Sequence, residues 1–258
     1  MRASLSADTL VVLLLATVRM SAFFAIAPPF SSRSVPSRIK AGLAFALALC
    51  LLPTLSDQSP PLTLPSLVGA TVWQVAVGAT MGFVVLLAVA VIQAAGEMLD
   101  LASGFTLASL YDPLSNVSSS MFGRIQQLLA ITLLFAANGH LILVRGLMMT
   151  FETAPLRPLA IGDLARLVTD DLGRFLAGAL QIAAPVLVVL FLAELALGLV
   201  SRAVPTLNIF AMSFPVKILL AISLAGVTFS LLPGAVSRLL DQATRDMVSV
   251  AQMMGTRS

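Results

Sequence analysis

The sequence predicts an all-α integral membrane protein with about six apolar helices. Hydrophobic residues make up 59% of the chain and charged residues 10%, whereas soluble domains carry about 25% charged residues. Apolar runs long enough to cross a bilayer recur along the chain, separated by polar or proline-containing segments. Prolines and ionisable groups inside several runs indicate that some helices are broken or paired as hairpins within a larger assembly.

The charged and reactive residues exclude several classes of function. The net charge is +3, and no Lys/Arg stripe interleaved with aromatic residues indicates nucleic-acid binding. One cysteine and one histidine exclude a disulfide within the chain, a multi-cysteine metal site and a histidine cluster. Phosphate-loop, nucleophile-elbow and zinc signatures are absent. We therefore predict no catalytic residues, no metal, no cofactor and no enzymatic activity.

The first two predicted helices flank a basic loop. The first, Leu10 to Phe30, contains Arg19, which should face a protein interior or extend to the membrane surface because a charge in hydrocarbon is costly. The loop Ser31 to Lys40 holds three basic residues and no acid, which indicates the cytoplasmic side. The second helix, Ala41 to Leu52, is shorter than the roughly 20 residues that a span needs and closes at Pro53. It either borrows loop residues to cross or forms half of a hairpin.

The third predicted helix, Leu67 to Ile92, is long enough to cross a membrane. Gly78 and Gly82 give it a small-xxx-small face, which predicts close packing against another helix. Glu97 and Asp100 follow at positions i and i+3, so their carboxylates share one helical face. Two interpretations remain open for this pair: a proton relay, or two acids that are simply solvated.

Residues 93–124 interrupt the apolar pattern and are predicted to be a loop around which the chain is organised. Asp112 precedes Pro113, and a residue before proline is pushed out of the α region, so a helix from upstream ends here. The serine and asparagine run that follows offers hydrogen bonds that compete with helix. Because free backbone groups in a membrane must be hidden in protein or line a wet cavity, we predict a loop that lines or plugs a pathway. The alternative is an ordinary surface loop.

Two further apolar helices and a polar connector follow this loop. The fourth helix, Ile125 to Met149, contains His140, for which a packing role is favoured over a ligand role. The polar connector covers residues 151–172 and ends in a short amphipathic helix. The fifth helix, Phe175 to Val200, carries Glu194, whose partner should lie on a different helix or subunit.

The sixth predicted helix, Ile209 to Leu232, carries Lys217 near its start and stops at Pro233-Gly234. The tail, Ala235 to Ser258, has the pattern of a separate amphipathic helix at the edge of the bilayer. The polar residues predicted to be buried are Arg19, Glu97, Asp100, His140, Glu194 and Lys217.

Three stretches then occur in a recognisable order. They are Arg33-Ser-Val-Pro-Ser-Arg-Ile-Lys-Ala-Gly-Leu-Ala44, Asn138-Gly139-His140-Leu141, and Arg202-Ala-Val-Pro-Thr-Leu-Asn-Ile-Phe210 followed by Phe214-Pro-Val-Lys-Ile-Leu219. Together they resemble the FliR family of the flagellar protein-export gate, whose counterpart in virulence secretion is SctT. The resemblance extends from about Leu10 to Leu240, and the Asn-Gly-His stretch resembles the flagellar members more closely.

The resemblance implies one membrane domain, 1–258, within a helical hetero-oligomeric export gate. Residues 1–150 would be built like FliP, and residues 173–258 like FliQ, after the connector 151–172. Family members join FliP and FliQ in a pore at the flagellar basal body, in the bacterial inner membrane and in contact with its lipid. FlhB and FlhA are further expected partners, and unfolded flagellar subunits are the expected export substrates.

The resemblance also implies that residues 104–123 form a loop that plugs the pore. The residues expected to seal it are Phe105, Leu107, Leu110 and Tyr111, and those expected to act as hinges are Gly104, Asp112 and Pro113. Relatives often carry phenylalanine where Leu107 and Leu110 stand here. An apolar constriction built from leucine can also exclude water.

Two other classes of function remain for comparison. A stand-alone, proton-coupled transporter of small solutes would use Glu97, Asp100 and Glu194, although the sequence has no evident inverted repeat. An intramembrane enzyme would need a clustered nucleophile and base, which the sequence does not indicate.

Overall fold

The computed structural model describes residues 7–55, 60–106, 120–153, 156, 162–204 and 209–255, and every regular element in these ranges is an α-helix. The helices are α1 (Ala7–Ile26), α2 (Ser37–Leu55), α3 (Leu64–Ser103), α4 (Met121–Ala136), α5 (Gly139–Thr153), α6 (Gly162–Ala203) and α7 (Ile209–Gly255). The predicted all-α class is confirmed.

Five helices are long and apolar enough to cross a membrane. They are α1, α2, α3, the part of α6 from Leu172 to Ala203, and the part of α7 from Met212 to Val248. Helices α4 and α5 form a bent pair that meets the same criteria when it is counted as one span, which gives up to six. The chain is thus a multi-pass membrane protein, and the prediction of about six apolar helices with some broken is confirmed.

Three helices continue beyond their predicted ends. α3 extends to Ser103, so the start of the predicted loop 93–124 is helical, because residues 93–103 are mostly good helix formers. α6 begins at Gly162 and includes the end of the predicted connector. α7 continues through Pro233 to Gly255, so the tail is not a separate helix. A proline removes one backbone hydrogen bond, but the turns on either side keep theirs.

Two other boundaries also differ from the prediction. α2 has 19 residues, because it begins at Ser37 in the basic loop and retains Pro53 near its end, which agrees with the alternative that it borrows loop residues to cross. The single helix predicted from Ile125 to Met149 is two helices, separated at Asn138. Asn138 has φ 53°, a left-handed conformation that asparagine tolerates better than most residues, and this ends the helical run.

The chain divides into two compact units that alternate along the sequence. Unit 1 comprises residues 1–88, 138–172 and 239–258, and unit 2 comprises residues 89–137 and 173–238. Helices α3, α6 and α7 each contribute residues to both units. The division into FliP-like and FliQ-like parts is implied by the family resemblance, and it stays a prediction.

Within unit 1, α1 and α3 pack with their backbones close together. A Cβ atom on Gly78 would overlap the carbonyl oxygen of Arg19, and one on Gly82 would lie 3.0 Å from the carbonyl oxygen of Phe23. The rings of Phe23 and Phe24 are fully buried and contact each other edge to face. Glycine at the two α3 positions therefore permits the close approach.

Unit 2 is built around an apolar cluster that α3, α4, α6 and α7 share. Its buried members are Ala95, Leu99, Phe122, Ala183, Val186, Leu190, Ala221 and Ala225. Phe105, just after the end of α3, packs against this cluster. The cluster thus lies beside the two ends of the predicted pore loop.

Candidate functional site

The ends of the predicted pore loop meet in unit 2, and we call the described residues at its two ends the loop base. The loop base comprises Gly96 to Thr106 on one side and Ser120 to Gly123 on the other. Residues 107–119 lie outside the described residues, and so do the predicted site residues Leu107, Leu110, Tyr111, Asp112 and Pro113.

Asp100 joins the two sides of the loop base. Its side chain has no exposed surface, and its Oδ2 accepts hydrogen bonds from the backbone N–H of Phe122 at 2.9 Å and of Gly123 at 3.3 Å. The hydroxyl of Ser120 also accepts from the N–H of Gly123, at 2.8 Å, and is the N-cap of α4. These acceptors satisfy amides in the first turn of α4 that have no partner within the helix.

Glycines allow the two sides of the loop base to touch. A Cβ atom on Gly96 would lie 2.6 Å from both Cα and N of Gly123. A Cβ atom on Gly123 would overlap the hydroxyl oxygen of Ser120 and lie 2.9 Å from Cγ of Glu97. Real Cβ contacts are longer than these distances, so a side chain at Gly96 would separate α3 from α4, and one at Gly123 would displace the Ser120 cap.

Gly104, the predicted hinge, lies directly after the last residue of α3. Its φ of 89° is in the region that favours glycine, and its N–H donates to the carbonyl oxygens of Asp100 at 3.2 Å and Leu101 at 3.3 Å. A Cβ atom here would lie 2.6 Å from Cδ1 of Phe214. Gly104 therefore redirects the chain from α3 into the loop, in contact with α7.

Phe105, a predicted sealing residue, lies against the protein interior in this structure. It is partly buried, and its ring centroid is 5.7 Å from that of Phe122, with the planes at 69°. In this edge-to-face pair, Phe122 is the ring that lies on the α4 turn that Asp100 holds. Phe105 thus contacts the other side of the loop base, and its role in sealing a pore stays a prediction.

The three carboxylates of the transporter interpretation have three different partners. Glu97 is exposed and accepts a hydrogen bond from Nε2 of Gln93 at 2.8 Å. Asp100 is buried and bonds to the α4 backbone. Glu194 of α6 forms an ion pair with Lys217 of α7 at 3.0 Å, with the Lys217 side chain 11% and the Glu194 side chain 64% exposed. No observation joins these groups in one proton pathway.

The remaining predicted polar residues lie in unit 1. Arg19 has no exposed surface, so it faces a protein interior. Its Nε donates to Oε1 of Gln74 at 2.6 Å, and its guanidinium carbon lies 4.2 Å from the ring centroid of Phe151. His140 lies in the first turn of α5 and is partly buried. Among the described ranges, no three His, Cys, Asp or Glu residues could together hold a metal ion.

Sequence reasoning did not find the role of Asp100. It placed Asp100 with Glu97 as a pair of acids on one face, but the structure separates the pair into one exposed and one buried carboxylate. The available signal was the Ser-Met-Phe-Gly sequence at 120–123, where Ser120 is a favourable N-cap. That signal marks the start of α4 but not the distant residue that bonds to it.

The chain is similar to proteins of bacterial export systems. The family model described as "Bacterial export proteins, family 1" matches residues 10–243. Flagellar biosynthetic protein FliR of Escherichia coli (strain K12) is 34% identical over 217 residues, 83% of each chain. The protein of the same name from Bacillus subtilis (strain 168) is 30% identical over 247 residues, 94% of this chain and 95% of its own. Yop proteins translocation protein T of Yersinia pestis is 28% identical over 207 residues, 77% of this chain and 78% of its own.

Proposed function

The chain belongs to the bacterial export proteins, family 1, and we propose that it is a core, non-enzymatic subunit of a flagellar protein-export gate. In this proposal it joins FliP and FliQ in a channel through which unfolded flagellar subunits pass. The complex lies in the bacterial inner membrane at the flagellar basal body, with FlhB and FlhA as further partners. Membership in an export family supports this assignment over an enzyme. Two flagellar relatives, at 34% and 30% identity, support it as well.

The lengths of the helices support a place in a larger assembly. α3, α6 and α7 contain 40, 42 and 47 residues. At about 1.5 Å per residue each is roughly 60–70 Å long, about twice the thickness of the hydrocarbon core. Parts of these helices therefore extend beyond the bilayer, where other protein rather than lipid is available to cover their apolar surface.

The loop base is the observation that carries the proposed mechanism. The chain leaves α3 at Gly104 and returns at Ser120 through residues that contact one another, as the Phe105–Phe122 ring pair shows. The apolar residues of the loop close the resting channel by excluding water and ions, and a substrate in transit displaces them.

Substitution of the apolar loop residues tests this proposal. Leu107, Leu110 and Tyr111 are changed together to serine in the chain co-expressed with FliP and FliQ. We expect a higher ion leak, measured with a membrane-potential dye, because serine side chains no longer exclude water. Deletion of residues 106–119 provides the leak of an unplugged channel for comparison.

The matched control changes the polar residues of the same loop, Ser115, Asn116 and Ser118, to alanine. We expect its leak to stay at the background level, because it removes no apolar side chain. Each variant is also tested for co-purification with its partners. An intact complex in which neither the serine variant nor the deletion raises the leak would refute the plug function.

A further inference from the structure

We infer that Asp100 is the positioning residue of the pore loop: its buried carboxylate holds the first turn of α4 against the end of α3, so that both ends of the loop stay together. The consequence for gating rests on the proposed function. The contact itself is a property of unit 2 and does not depend on that function.

The first argument is the nature of the acceptor. One carboxylate oxygen, Oδ2, accepts from two successive amides, those of Phe122 and Gly123, across 22 and 23 residues of sequence. Because a single oxygen accepts from both amides, the position of that oxygen fixes the first turn of α4. Ser120, the local N-cap, bonds to the N–H of Gly123, so Asp100 is the acceptor described for the N–H of Phe122. The N–H of Gly123 thus has two acceptors, Ser120 and Asp100, and the N–H of Phe122 has Asp100.

The second argument is the surroundings of the carboxylate. The Gly96–Gly123 contact brings the α3 and α4 backbones together. Phe122 and Leu99 are buried members of the apolar cluster, and the ring of Phe105 covers Phe122. Asp100 itself has no exposed surface, so bulk water does not reach it, and a hydrogen bond in such surroundings is stronger than one in water.

The third argument is that a buried carboxylate at position 100 has an energetic cost that an apolar side chain would avoid. The other carboxylate oxygen, Oδ1, is buried and has no hydrogen-bond partner among the described residues. A buried polar atom without a partner destabilises the folded state. An asparagine would keep one oxygen for the α4 amides, so Asp100→Asn should preserve the position while removing the charge.

These observations assign separate roles to the two ends of the loop. Gly104, with φ 89°, is where the loop changes direction, and the turn from Ser120 to Gly123 is the fixed end. Without Asp100 the N–H of Phe122 loses its described acceptor, while that of Gly123 keeps Ser120, so the first turn of α4 would fray at Phe122. Under the proposed function we then expect the closed channel to leak.

The test measures the contact and the leak separately in the complex with FliP and FliQ. Hydrogen exchange of a peptide containing residues 121–126 reports on the contact. We expect exchange about tenfold faster in Asp100→Ala and within about threefold of wild type in Asp100→Asn, because only the asparagine keeps an acceptor. We expect the ion leak to follow the same order. Asp241→Ala is the matched control, since Asp241 is an exposed acid on α7 and is not a member of the loop base, and it should change neither measurement.

Asp100→Glu keeps the carboxylate but moves it by one methylene. This variant replaces Asp100→Ala in the test where the alanine variant does not accumulate. We expect faster exchange and more leak than in Asp100→Asn. Wild-type behaviour of Asp100→Glu together with a leaky Asp100→Asn would show that charge rather than position matters and would overturn the inference. Unchanged exchange in Asp100→Ala would also overturn it. Faster exchange in Asp100→Ala, combined with no leak from the serine loop variant, would support the Asp100 contact while refuting the plug function.

Discussion

Arg19 shows how one charged residue is accommodated inside an apolar helix. In addition to its bond to Gln74, its Nη1 donates to the carbonyl oxygen of Thr150 at 3.3 Å, while its guanidinium lies over the ring of Phe151. A buried charge is tolerated when such groups replace water. The sequence predicted a protein interior or the membrane surface for this side chain, and the structure shows the interior.

The first prediction concerns the contribution of Arg19 to stability. Arg19→Ala should lower the free energy of unfolding by about 3 kcal/mol, because it leaves oxygens of Gln74 and Thr150 without this donor and opens a cavity. The measurement is the apparent melting temperature in detergent, which should fall by roughly 5–10 °C. Arg19→Lys should give a smaller decrease, because an ammonium keeps the charge but not the planar stacking on Phe151.

The control for this prediction is Arg38→Ala. Arg38 is an exposed arginine in the first turn of α2, and its removal should change the free energy of unfolding by less than about 0.5 kcal/mol. Equal effects of the two alanine substitutions would show that the buried contacts of Arg19 do not stabilise unit 1.

At the scale of elements, packing between helices depends on small residues as much as on apolar ones. α3 contacts α1 through Gly78 and Gly82, and α3 contacts α4 through the Gly96–Gly123 pair. The GxxxG pattern on α3 predicted a packing face from sequence, but many membrane helices carry this pattern, and it does not name the partner helix. The structure identifies α1 as the helix against this face.

A second prediction compares the same glycine-to-alanine change at two positions. Gly78→Ala places a Cβ on the carbonyl oxygen of Arg19, so α1 and α3 must separate, and we expect a loss of about 2 kcal/mol. Gly42→Ala in α2 meets nothing within 4 Å and should gain roughly 0.5–1 kcal/mol, because alanine favours helix. The measured melting temperatures should therefore move in opposite directions.

A decrease of similar size in both variants would contradict this prediction, since it would indicate a general intolerance to alanine in apolar helices. Gly82→Ala offers an intermediate case. Its Cβ would lie 3.0 Å from both the Phe23 carbonyl oxygen and the Ile26 Cβ, a tighter contact than usual but one that a small shift could relieve.

At the scale of the whole molecule, much apolar surface is left uncovered in the isolated chain. In unit 2, exposed side chains include Leu199 at 68% and Phe191 at 59% on α6, and Leu219 at 65% on α7. Exposed apolar surface of this kind must face lipid or other protein. Since α6 and α7 are longer than a bilayer requires, we expect part of this surface to be covered by partner subunits.

The third prediction therefore concerns which subunits the purified complex contains. Native mass spectrometry of the tagged chain, purified in mild detergent after co-expression with its genomic neighbours, should show a stable complex with two small hydrophobic partners in excess over this chain. Long apolar helices that extend beyond the bilayer are the physical reason for this expectation. A clean monomer or homodimer would contradict the export-gate proposal, and flux measurements on Glu97, Asp100 and Glu194 variants would then be the next experiment.

The sequence by itself determined the helical class and the approximate number of apolar helices. These features depend on composition and on local backbone preferences, both of which can be read from residues that are close together in sequence. Helix ends were harder to predict, because α3, α6 and α7 continue through polar residues or prolines that local rules treat as breaks.

Only the tertiary structure decided which distant groups meet. Asp100 bonds to an amide 22 residues away, and Glu194 pairs with Lys217 on the next helix. Such contacts depend on the rotation and register of packed helices, and periodicity along one helix does not specify these for its neighbour. Glu97 and Asp100 have the spacing of residues on one helical face, yet in the fold Glu97 is exposed and Asp100 is buried.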